Sequence, residues 1–212
     1  MTRSLRLDTS HRILDVAERL VQTRGFNGFS YADVATALSL TKASLHYHFP
    51  TKAALGRALI ARYGQVFAAT LAAIDAEGLG AADKLARYAR LYAGVLKAGR
   101  MCLCGMVAAE YATLPAGMQS EIRAFFTANE EWLVKVLDEG VASGELRLRG
   151  SSLDTARMLL SALEGAMLVA RSYRSPARFE VTAQRLLDDL GAAPRRGARR
   201  AGATRAVRKR KG

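Results

Sequence analysis

Residues 41–50 read TKASLHYHFP, and this short stretch decides the predicted fold. Residues 42–48 are predicted to form a short helix, which stops before Pro50 because the residue preceding a proline avoids the helical region. Leu45 and Phe49 are its only apolar anchors, fewer than a core helix of this length needs. The other side chains suit phosphate oxygens and base edges, so the composition favours contact with nucleic acid.

The preceding segments complete a helix-turn-helix pattern. Ser30 and Asp33 form a capping-box pair that starts a short helix ending near Leu38, and residues 39–41 make the turn. An earlier helix is predicted over residues 9–24. Its buried stripe follows helical spacing and consists of Ile13, Leu14, Ala17, Leu20 and Val21.

Helical patterns continue through the rest of the chain, and the sequence predicts an all-α fold. Thr51 caps a long helix that reaches about Ala76. Further helices are expected over residues 82–98, 101–113, 117–140, 152–173 and 177–190. The one strand-like segment, residues 144–150, is too short and isolated to found a sheet.

Charge divides the chain into three parts. The 212 residues carry 32 Lys and Arg against 19 Asp and Glu, for a net charge of +13. Residues 191–212 hold nine bases and no acid, and they are predicted to form a disordered basic tail. Residues 1–52 carry +3 and residues 53–190 carry +1, so the middle favours neither an anionic nor a cationic ligand. The tail either adds non-specific attraction to phosphate or is an inert extension.

Composition also excludes several classes of protein. Half of the residues are hydrophobic, which rules out disorder over the full length. No apolar stretch is long enough to span a bilayer, and the N-terminus lacks the apolar core of a secretory signal. Cys102 and Cys104 are the only cysteines, so no disulfide framework is expected and a cytoplasmic location is predicted.

The N-terminal pattern resembles that of the TetR-type (TetR/AcrR) transcriptional regulators. The resemblance covers about residues 9–58 and is carried by residues 30–35, SYADVA, and residues 40–55, LTKASLHYHFPTKAAL. One departure is the absence of the acidic residue that the family often has where Ala53 or Ala54 stands.

The resemblance implies a homodimeric, one-component repressor that binds a palindromic operator and is released by a small-molecule effector or an electrophile. It implies a helix-turn-helix domain over residues 1–52 and a helical bundle over residues 53–190 for effector binding and dimerisation. No cofactor, metal or membrane partner is expected.

The DNA contacts that the resemblance implies lie on the first turn of the second helix, on the recognition helix and at the start of the fourth. They are Ser30 or Tyr31, Thr41, Lys42, Ala43, His46, Tyr47, His48 and Lys52. Thr41, Tyr47 and His48 suit phosphates, Lys42 suits a phosphate or a guanine, and Ala43 allows close approach to a thymine methyl. Lys52 adds positive charge beside a helix N-terminus.

Candidates for an effector site lie in the middle of the chain. They are Cys102, Met106, Glu110, Tyr111, Phe125 and Trp132, with Met101 and Phe126 as further apolar candidates. Each can equally be an ordinary core residue, and Glu110 can equally be solvated. For Cys102 and Cys104, burial in the core is favoured over redox or electrophile sensing, although Arg100 could lower a thiol pKa.

The dimer interface is predicted on the last two helices. Residues 153–171 are apolar almost all round, so they require cover on more than one side. Small residues four apart permit close approach of a second helix, and the resemblance implies a four-helix interface built from two copies. The interface candidates are Leu160, Ser161, Glu164, Gly165 and Leu168.

Two other functions compete with this interpretation. A non-specific architectural DNA-binding protein would depend on the basic tail for its affinity. An enzyme is disfavoured, because the sequence has no glycine-rich phosphate loop, nucleophile elbow or metal-spaced ligand set.

Overall fold

The computed structural model describes the backbone of residues 2–191 and the side chains of residues 8–191; the predicted tail beyond Gly191 lies outside these residues. Within this range the chain is all-helical, as predicted. The helices are α1 (Thr2–Arg24), α2 (Tyr31–Leu38), α3 (Lys42–His48), α4 (Lys52–Ala76), α5 (Ala81–Lys97), α6 (Leu103–Ala108), α7 (Ala116–Ser143), α8 (Ser152–Ser172) and α9 (Pro176–Asp188). A short 3-10 helix, Tyr111–Thr113, joins α6 to α7.

The strand-like segment forms no strand in the described part of the chain. Leu146 makes an isolated antiparallel bridge with Gly191, and nothing extends it. Among residues 2–191, no helix is both long and apolar enough to cross a bilayer.

Local capping fixes the ends of the short helices. Asp33 Oδ2 accepts from the Ser30 backbone amide at 2.7 Å, as the capping pattern predicts. Thr41 Oγ1 accepts from the Ser44 amide at 3.1 Å, and Thr51 Oγ1 accepts from the Ala54 amide at 3.0 Å. These bonds satisfy amides that no helical carbonyl can reach, so α2, α3 and α4 begin where the sequence predicts.

The prediction of one helix over residues 101–113 is wrong. The structure divides the segment into α6 and the 3-10 helix. The Met101 amide donates to the Gln22 carbonyl oxygen at 3.1 Å, which commits the start of the segment to α1. Near its other end, Glu110 leaves the helical path, and its carboxylate accepts from the Asn27 amide at 2.9 Å. Tertiary contacts therefore override a locally helical pattern.

Helix α4 joins the N-terminal helices to the body of the molecule. Near its start it crosses Phe26 and Met118 at Gly56, where a Cβ would lie 2.6 Å from a Phe26 ring carbon and 2.7 Å from Met118 Cε. Its later turns pack beside α7, with Leu71 and Ile74 buried. Gly56 thus allows a close crossing that no larger residue permits.

The remaining helices form a bundle in which α8 packs against both α7 and α9. One face of α8 carries buried residues such as Leu159, Leu163 and Met167. The opposite face leaves Leu168 and Val169 each 53% exposed. The body therefore has a covered core and one uncovered apolar face.

Two glycines of α4 are expected to respond oppositely to alanine. Gly56→Ala forces a methyl group against Phe26 and Met118 and should lower the free energy of unfolding by about 1–3 kcal/mol. Gly64→Ala is the matched control, since the nearest atom to its Cβ would lie at 3.8 Å. It should raise stability by up to about 1 kcal/mol through helix propensity. Urea unfolding measures both, and an unchanged midpoint for Gly56→Ala would contradict the crossing.

Candidate nucleic-acid interface and effector site

One face of helix α3 packs against the rest of the protein, and the opposite face is exposed to solvent. Leu45 is fully buried, and Phe49 is 8% exposed at the end of the helix. Lys42, Ala43 and Tyr47 lie on the exposed side, with Tyr47 61% exposed. Thr41 and His46 are also exposed, and His48 is half-buried, so the predicted reading residues occupy one outward surface.

Several predicted DNA contacts already have partners inside the fold. Tyr31 donates its hydroxyl to the Phe49 carbonyl oxygen at 2.7 Å, and burial raises the pKa of Tyr31 to about 12. Its ring lies 4.8 Å from that of His46, whose Nδ1 is 3.0 Å from the Pro50 carbonyl oxygen. These contacts fix α3 relative to α2.

Lys52, predicted to add positive charge beside a helix N-terminus, is held by the loop that precedes α2. Its ammonium donates to the Phe29 carbonyl oxygen at 2.5 Å and lies 4.7 Å and 4.5 Å from the ring centres of Phe26 and Phe29. Burial lowers the pKa of Lys52. The charge is used to hold the loop after α1, and a phosphate contact would require it to leave these rings.

An open groove lies between α4 and α7 and has a volume of about 440 Å³. Phe125 and Trp132, both predicted effector residues, line it together with Phe67. The Trp132 indole donates to Asp75 Oδ2 at 3.2 Å, at one end of the groove. Burial raises the pKa of Asp75, but hydrogen bonds from Lys135 and Lys84 outweigh this effect and lower it.

The other predicted effector residues lie outside this groove, and two of them, Glu110 and Met106, are linked to the end of α1. Glu110 holds the Asn27 amide, and Tyr111 accepts a hydrogen bond from Arg123. Met106 Sδ accepts from Arg171, whose guanidinium also donates to the Thr23 carbonyl oxygen at 2.5 Å. Glu110 is therefore neither a pocket anchor nor simply solvated, because it joins two parts of the chain.

The cysteines are core residues. Cys102 is 2% exposed and Cys104 is fully buried, and burial raises the pKa of both thiols. The hypothesis that Arg100 lowers a thiol pKa is wrong, since Arg100 donates to Gln22 Oε1 at 3.1 Å. The thiols are held protonated, which disfavours reaction with electrophiles. Among the described residues, no group of three or more His, Cys, Asp or Glu is placed to hold a metal ion.

Glu164 is turned inward and not toward the predicted dimer interface. Burial raises the pKa of Glu164 to about 7, while a hydrogen bond with Cys102 works in the opposite direction. Its Oε1 is buried and has no hydrogen-bond partner in the described part of the chain. Leu160, at 5% exposure, belongs to the core, whereas Glu164 is half-buried with its Oε1 atom turned inward. Ser161 and Leu168 remain exposed and Gly165 is half-buried.

Sequence reasoning missed a group of buried tyrosines and an asparagine in the helical body. Tyr88 Oη lies 3.0 Å from Tyr92 Oη and donates to Asn129 Oδ1 at 3.0 Å. The signal was present, since Tyr88 and Tyr92 are four residues apart on the buried face of α5. Tyr63 of α4 completes the group, and its hydroxyl lies 3.9 Å from Cys102 Sγ.

A capped helix-turn-helix with an outward reading helix, mounted on an all-helical body, defines a DNA-binding transcriptional regulator. Residues 13–59 match the family described as bacterial regulatory proteins, tetR family. The chain belongs to this TetR family, as the sequence predicts, and two related structures support the assignment.

The first is a TetR-family transcriptional regulator from Agrobacterium tumefaciens, 31% identical, with 88% of this chain and 100% of that chain covered and a TM-score of 0.86. The second is a TetR transcriptional regulator from Legionella pneumophila, 35% identical, with coverage of 84% and 95% and a TM-score of 0.77. The reduced form of E. coli NemR shares the fold at 23% identity, with coverage of 87% and 98% and a TM-score of 0.76. No curated protein matches the chain.

The buried carboxyl makes stability depend on pH. Because the pKa of Glu164 is about 7 in the fold against 4.5 ordinarily, the folded state binds more protons between these values. The contribution of Glu164 to stability is therefore present below pH 4.5 and is lost as the pH rises to 7. Relative to wild type, Glu164→Gln should gain about 2 kcal/mol of unfolding free energy between pH 5 and pH 8.

Urea unfolding at both pH values measures this gain. Glu131→Gln, at an exposed position of the neighbouring helix α7, is the control and should show no such gain. Parallel pH profiles for wild type and Glu164→Gln would contradict the buried placement.

Proposed function

We propose that the chain is a homodimeric repressor that binds a palindromic operator and is released by a small organic effector. It acts by binding and not by catalysis. The observation that carries this proposal is the exposed surface of α3, where Lys42, Ala43 and Tyr47 stand above a buried Leu45. A helix held from one side and polar on the other suits insertion into a major groove.

The side chains of α3 are suited to two kinds of DNA contact, to bases and to phosphates. Lys42 makes no ion pair among residues 8–191, so its charge is available for a phosphate or a guanine. Ala43 leaves room for the helix to approach and suits a thymine methyl. Thr41 and Tyr47 suit phosphates, which position the helix without reading sequence. We also propose that Ser30, His46 and His48 contact the DNA.

Dimerisation is proposed through the outer faces of α8 and α9. Val169 on α8 and Val181 on α9 are 53% and 70% exposed and line one depression between the two helices. Gly165 and Ala166 line the same depression and let a second helix approach closely. A two-fold pair joined here would present two copies of α3 about 34–36 Å apart, one turn of DNA.

Release by an effector is proposed to start at the groove between α4 and α7. Helix α4 lines the groove and also begins directly after α3. A ligand that favours one angle of α4 changes the spacing between the two copies of α3. The ligand acts only through its different affinities for the two arrangements.

One prediction of the proposed function concerns DNA recognition. Lys42→Ala should weaken binding to a selected operator duplex by about five- to thirtyfold and lower the slope against log salt by about one. Lys135→Ala is the control of equal charge, because Lys135 pairs with Asp75 at the far end of α4, roughly 35 Å along the helix from Lys52. Duplex selection followed by binding at several salt concentrations measures both.

A truncation after Gly191 distinguishes operator-specific binding from the competing function, non-specific DNA binding through the tail. Removal of residues 192–212 should reduce affinity for all duplexes and preserve the preference for the operator. Loss of that preference, or equal effects of Lys42→Ala and Lys135→Ala, would favour non-specific binding driven by the tail.

A further prediction of the proposed function concerns the dimer interface. Val169→Glu places a charge in the proposed interface and should raise the dimer dissociation constant at least about tenfold. Val66→Glu is the matched control, since Val66 of α4 is 62% exposed outside that face. Sedimentation velocity measures both proteins. A dimer that Val169→Glu leaves intact, or that Val66→Glu also dissociates, would contradict this interface.

A further inference from the structure

The groove between α4 and α7 has apolar walls and carries only one sign of charge. Phe67, Phe125 and Trp132 supply aromatic rings, and Asp75 and Glu121 supply carboxylates. No lysine, arginine or histidine lines it among the described residues. Asp75 is neutralised by Lys84 and Lys135, whereas Glu121 makes no ion pair in the same part of the chain.

A single layer of aromatic rings separates the groove from a second set of polar groups. The Phe125 ring centre lies 5.6 Å from that of Tyr63, and the Phe67 ring centre lies 6.1 Å from that of Tyr92. Tyr63 Oη lies 3.9 Å from Cys102 Sγ, and the Glu164 carboxyl lies against Gly105 of α6, where a Cβ would collide with Glu164 Oε2. Tyr63 thus lies between Phe125 of the groove and the start of α6, where the Glu164 carboxyl lies.

Glu164 has no cationic partner at this position. The titratable groups that face it are Tyr63 of α4, Tyr88 and Tyr92 of α5, and Cys102 and Cys104 at the start of α6. Phenols and thiols are never cationic, so none of the five can supply positive charge, and their raised pKa values keep them neutral near pH 7. Its Oε1 also lacks a hydrogen-bond partner among the described residues. A buried carboxylate without a counter-ion is costly, and an incoming cation relieves that cost.

We propose that this groove binds an organic cation with an aromatic or apolar body, and that Glu164 supplies the counter-charge behind the ring layer. The inference rests on the proposed effector site and names the chemical class of its ligand. Aromatic faces attract a cation, and Glu121 adds a second carboxylate at the groove itself. An anion of the same shape meets only repulsion from these groups. The nearly neutral balance of the middle of the chain does not reveal this preference, because the charges are unevenly placed.

Binding is coupled to a proton. Since the pKa of Glu164 is about 7 without ligand, roughly half of the molecules carry a protonated carboxyl at that pH. The cation favours the ionised form, so its binding releases a proton from Glu164. Affinity for the cation therefore falls as the pH drops below 7, by about tenfold per unit at the limit.

Two hydrophobic ions of nearly equal shape test the proposal, namely tetraphenylphosphonium and tetraphenylborate. Trp132 is the only tryptophan of the chain and lines the groove, so its fluorescence reports occupancy there and not binding to the basic tail. With the full-length dimer at pH 8, tetraphenylphosphonium should change this fluorescence at concentrations about tenfold or more below those that tetraphenylborate requires.

Variants locate the counter-charge. Glu164→Gln should weaken tetraphenylphosphonium binding by about tenfold or more and abolish its dependence on pH between 6 and 8. Glu121→Gln, at a half-buried position where folding is not at risk, should weaken it about twofold. Glu131→Gln removes an exposed charge outside the groove and should have no effect.

Equal responses to both ions, tighter binding of tetraphenylborate, or unchanged pH dependence in Glu164→Gln would overturn the proposal. If Glu164→Gln does not fold, an unchanged affinity in Glu121→Gln together with pH-independent binding to wild type would overturn it. Operator selection with the same protein preparation distinguishes failure of the cation proposal from failure of the proposed repressor function. A protein that selects its operator but shows no preference for the cation refutes this inference alone, whereas one that selects no duplex refutes the proposed function.

Discussion

The position of the DNA-reading helices depends on how the end of α1 is held. Gln22, Thr23 and Asn27 offer backbone groups there, and each is bonded by a residue more than 70 positions later in the chain, namely Met101, Arg171 and Glu110. Glu110 lies 83 residues from Asn27 in the sequence, and Arg171 lies 148 residues from Thr23. Because α2 packs on α1 and α3 packs on α2, these few bonds set the direction in which α3 points. These bonds therefore link α6 and α8 to the reading helices through α1, beside the link that Arg62 of α4 makes with Asp15 and Glu18.

Several polar side chains lie inside the helical body, and most of them are paired with one another. Lys84 bridges Asp75 and Glu139 at 3.2 Å and 2.8 Å, and its hydrogen bond to Glu139 raises the pKa of Lys84 despite burial. Tyr88, Tyr92 and Asn129 satisfy one another in the same layer. Glu164 Oε1 has neither a hydrogen-bond partner nor an ion pair among the described residues, and an unpartnered buried oxygen costs about 1–3 kcal/mol. Such a cost is tolerated where a group serves a purpose other than stability.

The features that sequence reasoning predicted are those that local chemistry decides. The capping pair at Ser30 and Asp33, the end of α3 before Pro50 and the apolar stripe of α1 all depend on neighbours a few residues away. The features it missed depend on distant residues. Glu164 has the same helical spacing as the outer face of α8, and only the fold shows that it turns toward Cys102.

Lys52 illustrates the same limit within the reading domain. Its place in the motif predicts a cation near phosphate, but Phe26 and Phe29 provide a closer site that no local pattern announces. Net charge over a long segment also fails to predict the charge of a local site. Residues 53–190 carry a net charge near zero, yet the charged side chains that line the groove are all carboxylates.

The different reach of these bonds has a consequence for how the protein is made. The caps at Thr41 and Thr51 join groups three residues apart, so they depend on no residue that is synthesised much later. The loop after α1 must wait until Glu110 has been synthesised, and Thr23 must wait for Arg171. We expect a nascent chain to hold formed but loosely oriented reading helices, so that competence to recognise DNA arrives only near the end of translation.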